Sequence, residues 1–438
     1  MDSLMSAVYK EGSFNGNILV AEKGTIIYQK SFGLANEKTQ QKLDLKTRFE
    51  LASVSKQFTA MGIVQLYKQG KLQYDDRISK YLPEMAAYSD ITIKNLLTHT
   101  GGLPDYMELL SKEWKTSNYV TNQDVLDLFV KVKPAVLFKP GEKWEYSNTG
   151  YLILASIIEK VSGKSFGEYL SDKIFKPLKM NNTFVYRRWY KPEKVNNYAS
   201  GYIYSDSLHR KATPDELGKD YYVVLLDGIV GDGMVNSNLE DMLKWDRALY
   251  TDKLINKADK DQIFSSSKTL DGKETNYGFG WRVDNNGIYG KIVSHSGGWG
   301  GYITYIERDL DNDKTIIALQ NNSTEKTAIP VKNIRKILYN QPIEQKVVLD
   351  VATLKLYAGK YLTDAGKEKE VLFDDGRLYI PYGDNKMFLV PVSKTKFIME
   401  GFSPEVTYEF IVAADGSVLK YRVRQPEQGV DKEATRIK

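Results

Sequence analysis

A β-hairpin pattern opens this chain, and strand patterns return in series only from Tyr277 onward. The opening runs Asn17-Ile-Leu-Val-Ala21 and Thr25-Ile-Ile-Tyr28 flank the turn sequence Glu22-Lys23-Gly24. The later runs are Tyr277–Val283, Gly287–Ser294, Tyr302–Glu307 and Lys314–Gln320, with a helix expected from Thr327 to Leu338. The patterns between are mostly helical. The first and last segments are therefore expected to share one antiparallel sheet, with the helical middle packed on it: an α/β (α+β) arrangement.

Local signals fill in the middle. The run from Ser53 to Gln69 has Val54, Phe58, Met61, Ile63, Val64 and Leu66 on most sides, which predicts a buried helix with Gly70 as its C-cap. Thr121 with Asp124, Ser165 with Glu168, and Ser237 with Glu240 have capping-box spacing. Met1 to Lys10 reads as the start of an amphipathic helix, with Leu4, Met5 and Val8 on one side.

Past a connection at Asn340 to Lys346 the pattern is almost all β: Gly359–Leu362, Glu370–Phe373, Arg377–Ile380, Phe388–Val392, Lys396–Met399, Thr407–Val412 and Val418–Arg424. Asp375-Gly376 and Asp415-Gly416 are hairpin turns. Short strands this closely spaced predict a small barrel or sandwich. At 438 residues the chain exceeds one simple core, and the expected domains are 1–340 and 346–438.

Composition narrows the chemistry. There is no cysteine, which excludes disulfides, thiol catalysis and Cys-ligated metals. Only three histidines occur, with no H-x-x-x-H pair, so a His-based zinc site is not expected, and nothing in the sequence implies a metal or organic cofactor. The net charge of +5 comes from 61 basic and 56 acidic residues without a basic block, which gives nucleic-acid binding no support. No apolar run has the length of a transmembrane segment. No signal peptide is seen at the start, so the protein is either cytoplasmic or has lost a signal.

The informative spacing is Ser53-Val-Ser-Lys56. On a helix, side chains three apart share a face. A serine hydroxyl is a weak nucleophile until a base takes its proton, and a desolvated lysine one turn on can do so. Tyr146-Ser-Asn148 follows a turn-rich stretch and precedes a helix beginning near Gly150. Two residues apart in a loop, a tyrosine and an amide can project into one cleft, although a packing tyrosine beside a turn asparagine fits as well. Ser294-His295-Ser-Gly-Gly298 is expected to end a strand, with His295 either a donor at a cleft wall or half-exposed on a glycine-rich turn. His99, after Leu96-Leu97, reads as hydrogen-bonded structure rather than catalyst. Gly163-Lys164-Ser165 lacks the upstream glycine of a phosphate-binding loop, and no G-x-S-x-G elbow exists.

Taken together and in order, S-x-x-K, Y-x-N and H-x-G resemble the serine β-lactamase and penicillin-binding-protein superfamily, most closely its class C branch. Leu96-Leu-Thr-His-Thr-Gly-Gly-Leu-Pro104, Pro140-Gly141 and Gly231-Asp-Gly-Met-Val-Asn-Ser237 add to the likeness, which covers roughly residues 1–340. The β-rich tail resembles a lipocalin-like domain appended to some members. The resemblance implies Ser53 as acylated nucleophile, Lys56 as its activating partner, and Tyr146 in the proton traffic, with the base left open between the last two. It implies that Asn148 positions substrate or Lys56, that His295 lines the opposite wall beside Gly297, and that the N–H groups of Ser53 and Gly298 form an oxyanion hole. Many relatives carry lysine where His295 stands, and that cation helps to bind a substrate carboxylate. Histidine there favours an esterase, D-aminopeptidase or D,D-peptidase-like hydrolase. A weak β-lactamase and a non-catalytic penicillin-binding or sensor protein are the alternatives. The substrate is expected to be a small molecule or short peptide, the location periplasmic or secreted by family analogy, and the assembly open to a homo-oligomer. The tail is expected to fill its own interior and serve structure, the other readings being a small apolar ligand or an oligomer contact.

Overall fold

Strand β1 (Gly16–Glu22) is buried along nearly its whole length, as a strand flanked on both sides must be. In the computed structural model, which describes all residues except 287, 344, 345, 384, 401–405, 426–429 and 438, its neighbours come from opposite ends of the expected sheet. The hairpin partner is β2 (Thr25–Phe32), and β3 (Arg282–Asn286), β4 (Gly290–Trp299), β5 (Tyr302–Asp309) and β6 (Lys314–Gln320) complete the order β3-β4-β5-β6-β1-β2. Strand β1 pairs antiparallel with β6 from Gly16↔Gln320 to Glu22↔Lys314, so the first and last segments do meet. Helices α1 (Lys56–Lys68) and α2 (Asn148–Ser162) pack on each other in the same core and are buried on most sides.

The chain divides into two compact units, Met1–Asn285 with Tyr289–Val331, and Lys332–Lys438 with Asn286–Ile288. In the second, α3 (Val351–Tyr357) precedes a closed antiparallel barrel of β7 (Gly359–Thr363), β8 (Glu368–Asp374), β9 (Arg377–Tyr382), β10 (Asn385–Pro391), β11 (Lys396–Met399), β12 (Thr407–Val412), β13 (Val418–Gln425) and β14 (Val430–Ile437). Closure runs from Lys360↔Ile437 to Thr363↔Ala434. Tyr361, Leu378, Phe397, Phe410 and Tyr421 are buried in its core, so side chains fill the interior.

Several local expectations shift. Ser53 lies on a 3-10 turn, Ala52–Ser55, and the α-helix proper starts at Lys56. Gly70 follows the helix at φ +68°, and the Lys71 N–H reaches the Leu66 carbonyl at 3.0 Å, the bond that closes a glycine-terminated helix. The capping boxes at Thr121 and Ser165 form, whereas Ser237 pairs in a short strand with Phe49 and leaves Asn238 to cap Leu239–Ala248. Of the run Tyr277–Val283, only its end joins β3, because Gly280 turns the chain at φ +78° where a Cβ would sit 2.9 Å from the Lys56 carbonyl. Strand β4 begins at Gly290, the expected start at Gly287 lying outside the described residues. It does not stop at Ser294 but runs on to Trp299, and the turn is Gly300-Gly301.

Candidate active site

The turn that carries Ser53 is pinned from two sides. The Leu51 N–H donates to the Val235 carbonyl at 2.8 Å, and the Val235 N–H donates to Ser55 Oγ at 3.1 Å. The Leu51 carbonyl accepts from the Val54 N–H at 3.1 Å and from the Thr304 hydroxyl of β5 at 2.7 Å. Ala52, just before the serine, adopts φ +47°, a left-handed conformation that a non-glycine residue takes only under constraint. Strand β4 presses against this turn. A Cβ on Gly297 would lie 2.4 Å from both the Leu51 carbonyl oxygen and Thr304 Oγ1, so a glycine is required there. Ser53 is in the first turn, where backbone N–H groups lack intrahelical acceptors.

Lys56 is fully buried, and its ammonium is surrounded by acceptors. Nζ donates to Ser53 Oγ at 3.1 Å, to Asn148 Oδ1 at 2.9 Å and to the Asp232 backbone carbonyl at 2.8 Å. Asn148 opens α2, whose N-cap Ser147 accepts from the Gly150 N–H at 3.2 Å. The ammonium also faces the Tyr146 ring at 5.0 Å and the Tyr151 ring at 5.7 Å from their centroids. Two of the three acceptors are carbonyls. A neutral lysine would keep its two N–H bonds on these and direct its lone pair to the Ser53 hydroxyl.

The Tyr146 hydroxyl is buried and has no protein partner among the described residues. Its ring is tilted against that of His99, with centroids 4.3 Å apart, and lies 6.1 Å from that of His295. His99 accepts the Ser147 N–H on Nδ1 at 3.1 Å, so it orders the start of α2 as a neutral ring. Burial and the nearby Lys56 push its pKa well down.

His295 needs a correction. It is 2% exposed, and both ring nitrogens have internal partners. Nδ1 lies 2.7 Å from the Ser296 carbonyl, which can only accept, so the proton is on Nδ1. Nε2 then accepts the Tyr277 hydroxyl at 2.9 Å. Burial first, then Lys56, pushes its pKa down to about 3. The ring is a neutral buttress behind Tyr146 rather than a donor on the cleft wall or a half-exposed turn residue. On β4 it is Ser296 and Gly298 that face outward.

Ser53, Asn148 and Gly298 line one cleft of about 250 Å³, together with Asp232, Met107 and Trp299. Gly297, one residue before, packs on the turn instead. Two carboxylates had no role assigned from the sequence, Asp232 in the cleft and Asp105 bonded to Asn148. The Asp232 carboxylate accepts the Tyr106 hydroxyl on Oδ2 at 2.9 Å, and burial holds its pKa above the usual carboxylate value against the opposing pull of Lys56 and Tyr106. Asp105, the N-cap of Tyr106–Glu113, accepts from Asn148 Nδ2 at 3.4 Å. A glycine-flanked aspartate in Gly231-Asp-Gly233 was the available signal. Among the described residues no helix is long and apolar enough to cross a membrane, and no three His, Asp or Glu residues group as metal ligands.

Known proteins share this arrangement of sequence and fold. Penicillin-binding protein 4* of Bacillus subtilis (strain 168) is 40% identical over 449 residues, covering 100% of this chain and 98% of its own. A putative D-alanyl-D-alanine carboxypeptidase of Escherichia coli (strain K12) is 27% identical over 372 residues, covering 76% of this chain and 84% of its own. The octameric penicillin-binding protein homologue from Pyrococcus abyssi has the same fold, with a TM-score of 0.69 at 24% identity over 99% of each chain. Residues 2–340 match the family model described as Beta-lactamase. The chain belongs to the beta-lactamase family, the superfamily of serine hydrolases and penicillin-binding proteins.

Proposed function

We propose that the protein hydrolyses an ester or a D-amino-acid amide or peptide through an acyl-Ser53 intermediate, as a class C-like member of its family. Ser53 Oγ attacks the substrate carbonyl. Its proton passes to Lys56 or to Tyr146. The oxyanion that develops lies against the N–H groups of Ser53 and Gly298. Tyr146, whose hydroxyl has no competing protein partner, hands a proton to the leaving amine or alcohol. Water then hydrolyses the acyl-enzyme by the reverse proton route. Asn148 holds Lys56 in place, and His295 supports Tyr146 from behind.

The observation that carries this reading is the fully buried Lys56 Nζ at 3.1 Å from Ser53 Oγ. The name of the carboxypeptidase relative supports a D-alanyl substrate, and the neutral, inward-turned His295 weighs against a strong β-lactamase. Relatives named as penicillin-binding proteins and the octameric homologue support a place outside the cytoplasm and a homo-oligomer. A fluorophosphonate probe is expected to label the wild type and not Ser53→Ala. Labelling that survives the substitution would overturn the assignment. A panel of nitrophenyl esters, D-amino-acid amides, D-Ala-D-Ala peptides and β-lactams then ranks the substrates.

A further inference from the structure

Asp232 has no part in the steps above, yet it lines the cleft beside the nucleophile. It is held from two directions. Its backbone carbonyl takes a Lys56 hydrogen at 2.8 Å, and the Tyr106 hydroxyl fixes Oδ2 at 2.9 Å. A carboxylate offers about four acceptor positions, and with Tyr106 and a backbone N–H taking two of them the others are left for a donor in the cleft. Positive charge is disposed the opposite way. Among the described residues, those lining the cleft include no lysine or arginine. The three Lys56 hydrogens have protein acceptors, and His295 is neutral and faces inward. A substrate carboxylate would meet a negative group here with no free cation, while an ammonium would meet a fixed acceptor.

Building on the acyl-Ser53 reading, we propose that Asp232 determines specificity by accepting the free α-ammonium of a D-aminoacyl amide or of a peptide N-terminus. Ser53 and Asp232 line the same cleft, and Lys56 Nζ ties the two segments together through Ser53 Oγ and the Asp232 backbone carbonyl. An α-ammonium is likewise one carbon from the carbonyl under attack. The substrate class is thereby narrowed to molecules with an unblocked amine. N-acylated substrates, and those recognised by a terminal carboxylate, are disfavoured.

Titration calorimetry at pH 7, where an α-amino group with a pKa of about 8 is charged, tests this with D-alaninamide and N-acetyl-D-alaninamide, all proteins being the full chain in a Ser53→Ala background, called wild type where otherwise unchanged, so that neither ligand is turned over. Wild type is expected to bind the free amine at least about tenfold more tightly, the range of one charge-assisted hydrogen bond. Asp232→Asn should bring the two ligands to within about twofold of each other by weakening the amine alone, and Tyr106→Phe should narrow the gap partly. At pH 9.5 the wild-type preference should disappear as the amine loses its charge, which keeps the test decisive even if Asp232→Asn does not fold. Equal binding in the wild type, equal weakening of both ligands by Asp232→Asn, or a preference that persists at pH 9.5 would each overturn the proposal. Labelling at Ser53 reads out separately: a protein that labels but binds both ligands equally keeps its hydrolase assignment and loses this one.

Discussion

Replacing Gly297 with alanine tests how the site is held together. Its Cβ would lie 2.4 Å from the Leu51 carbonyl oxygen, where ordinary contact begins near 3.4 Å, and 3.1 Å from the Ala52 Cβ. Relief requires about 1 Å of separation between β4 and the serine turn. Neither partner yields easily. The Leu51 carbonyl is anchored by Val54 and Thr304, and β4 is paired with β5 from Ile292↔Asp309 to Trp299↔Tyr302. Overpacking of this kind costs about 1–3 kcal/mol of stability. The larger effect falls on rate, because the Gly298 and Ser53 N–H groups ride on the two segments pushed apart. A displacement of about 1 Å in a positioned group costs about 10²-fold, or roughly 2.7 kcal/mol of barrier. The assay is kcat on a nitrophenyl ester together with the thermal midpoint of the variant. A Gly297→Ala protein with wild-type kcat would refute the argument that contact between β4 and the turn sets the oxyanion geometry.

Other expectations follow from buried groups. Asn148→Ala removes one of the three Lys56 acceptors, and kcat is expected to fall about 10²-fold, with slower fluorophosphonate labelling; unchanged turnover would remove Asn148 from the machinery. Arg308 and Asp246 form a buried pair at 2.6 Å, with Arg247 a second cation on Asp246, so Arg308→Met should cost about 2 kcal/mol in chemical denaturation, and a loss below about 1 kcal/mol would show the pair to be dispensable. Stability should also depend on pH from both sides. His295, depressed from 6.5 to about 3, stays neutral in the fold while the unfolded chain takes up a proton, so its contribution is present above pH 6.5 and is lost as pH falls, by about 1.4 kcal/mol per unit. Glu50 goes the other way. Burial, then Asp227, raises it from 4.5 to about 8, so its contribution is full below pH 4.5 and is lost as pH rises toward 8. Glu50→Gln should therefore flatten the decline in urea midpoint between pH 6.5 and 8, and an unaltered slope would show that Glu50 is not its source.

What was legible in the sequence follows the range of the interactions. Ser53 and Lys56 are three residues apart, and Thr121 finds its capping partner at Asp124, so short spacings carried the information. At Ser237 two adjacent residues could cap, and only the strand partner Phe49 decides between them. The hydroxyl of Tyr106 meets Asp232 across 126 residues, with no periodicity to announce it. The orientation of His295 depends on Tyr277 and on β4 continuing past the glycines, and a glycine-rich run had suggested a turn instead. Strand β14 was invisible for another reason. In Val430–Ile437 only Ala434 is buried, and the strand is tied across the sheet by ion pairs such as Lys420 with Glu433 rather than by an alternating apolar face.

The three acceptors on Lys56 come from segments 3, 92 and 176 residues away in the chain. Until all three have arrived, the lysine is neither dry nor aimed, and Ser53 is an ordinary hydroxyl. On the acyl-Ser53 reading proposed above, reactivity is thus a report on completed assembly: a nascent or partly folded chain carries a harmless serine and cannot acylate itself on whatever carbonyl drifts past. During refolding, probe labelling of Ser53 should lag behind the burial of tryptophan, so that the enzyme becomes dangerous to its substrate only after it has become itself.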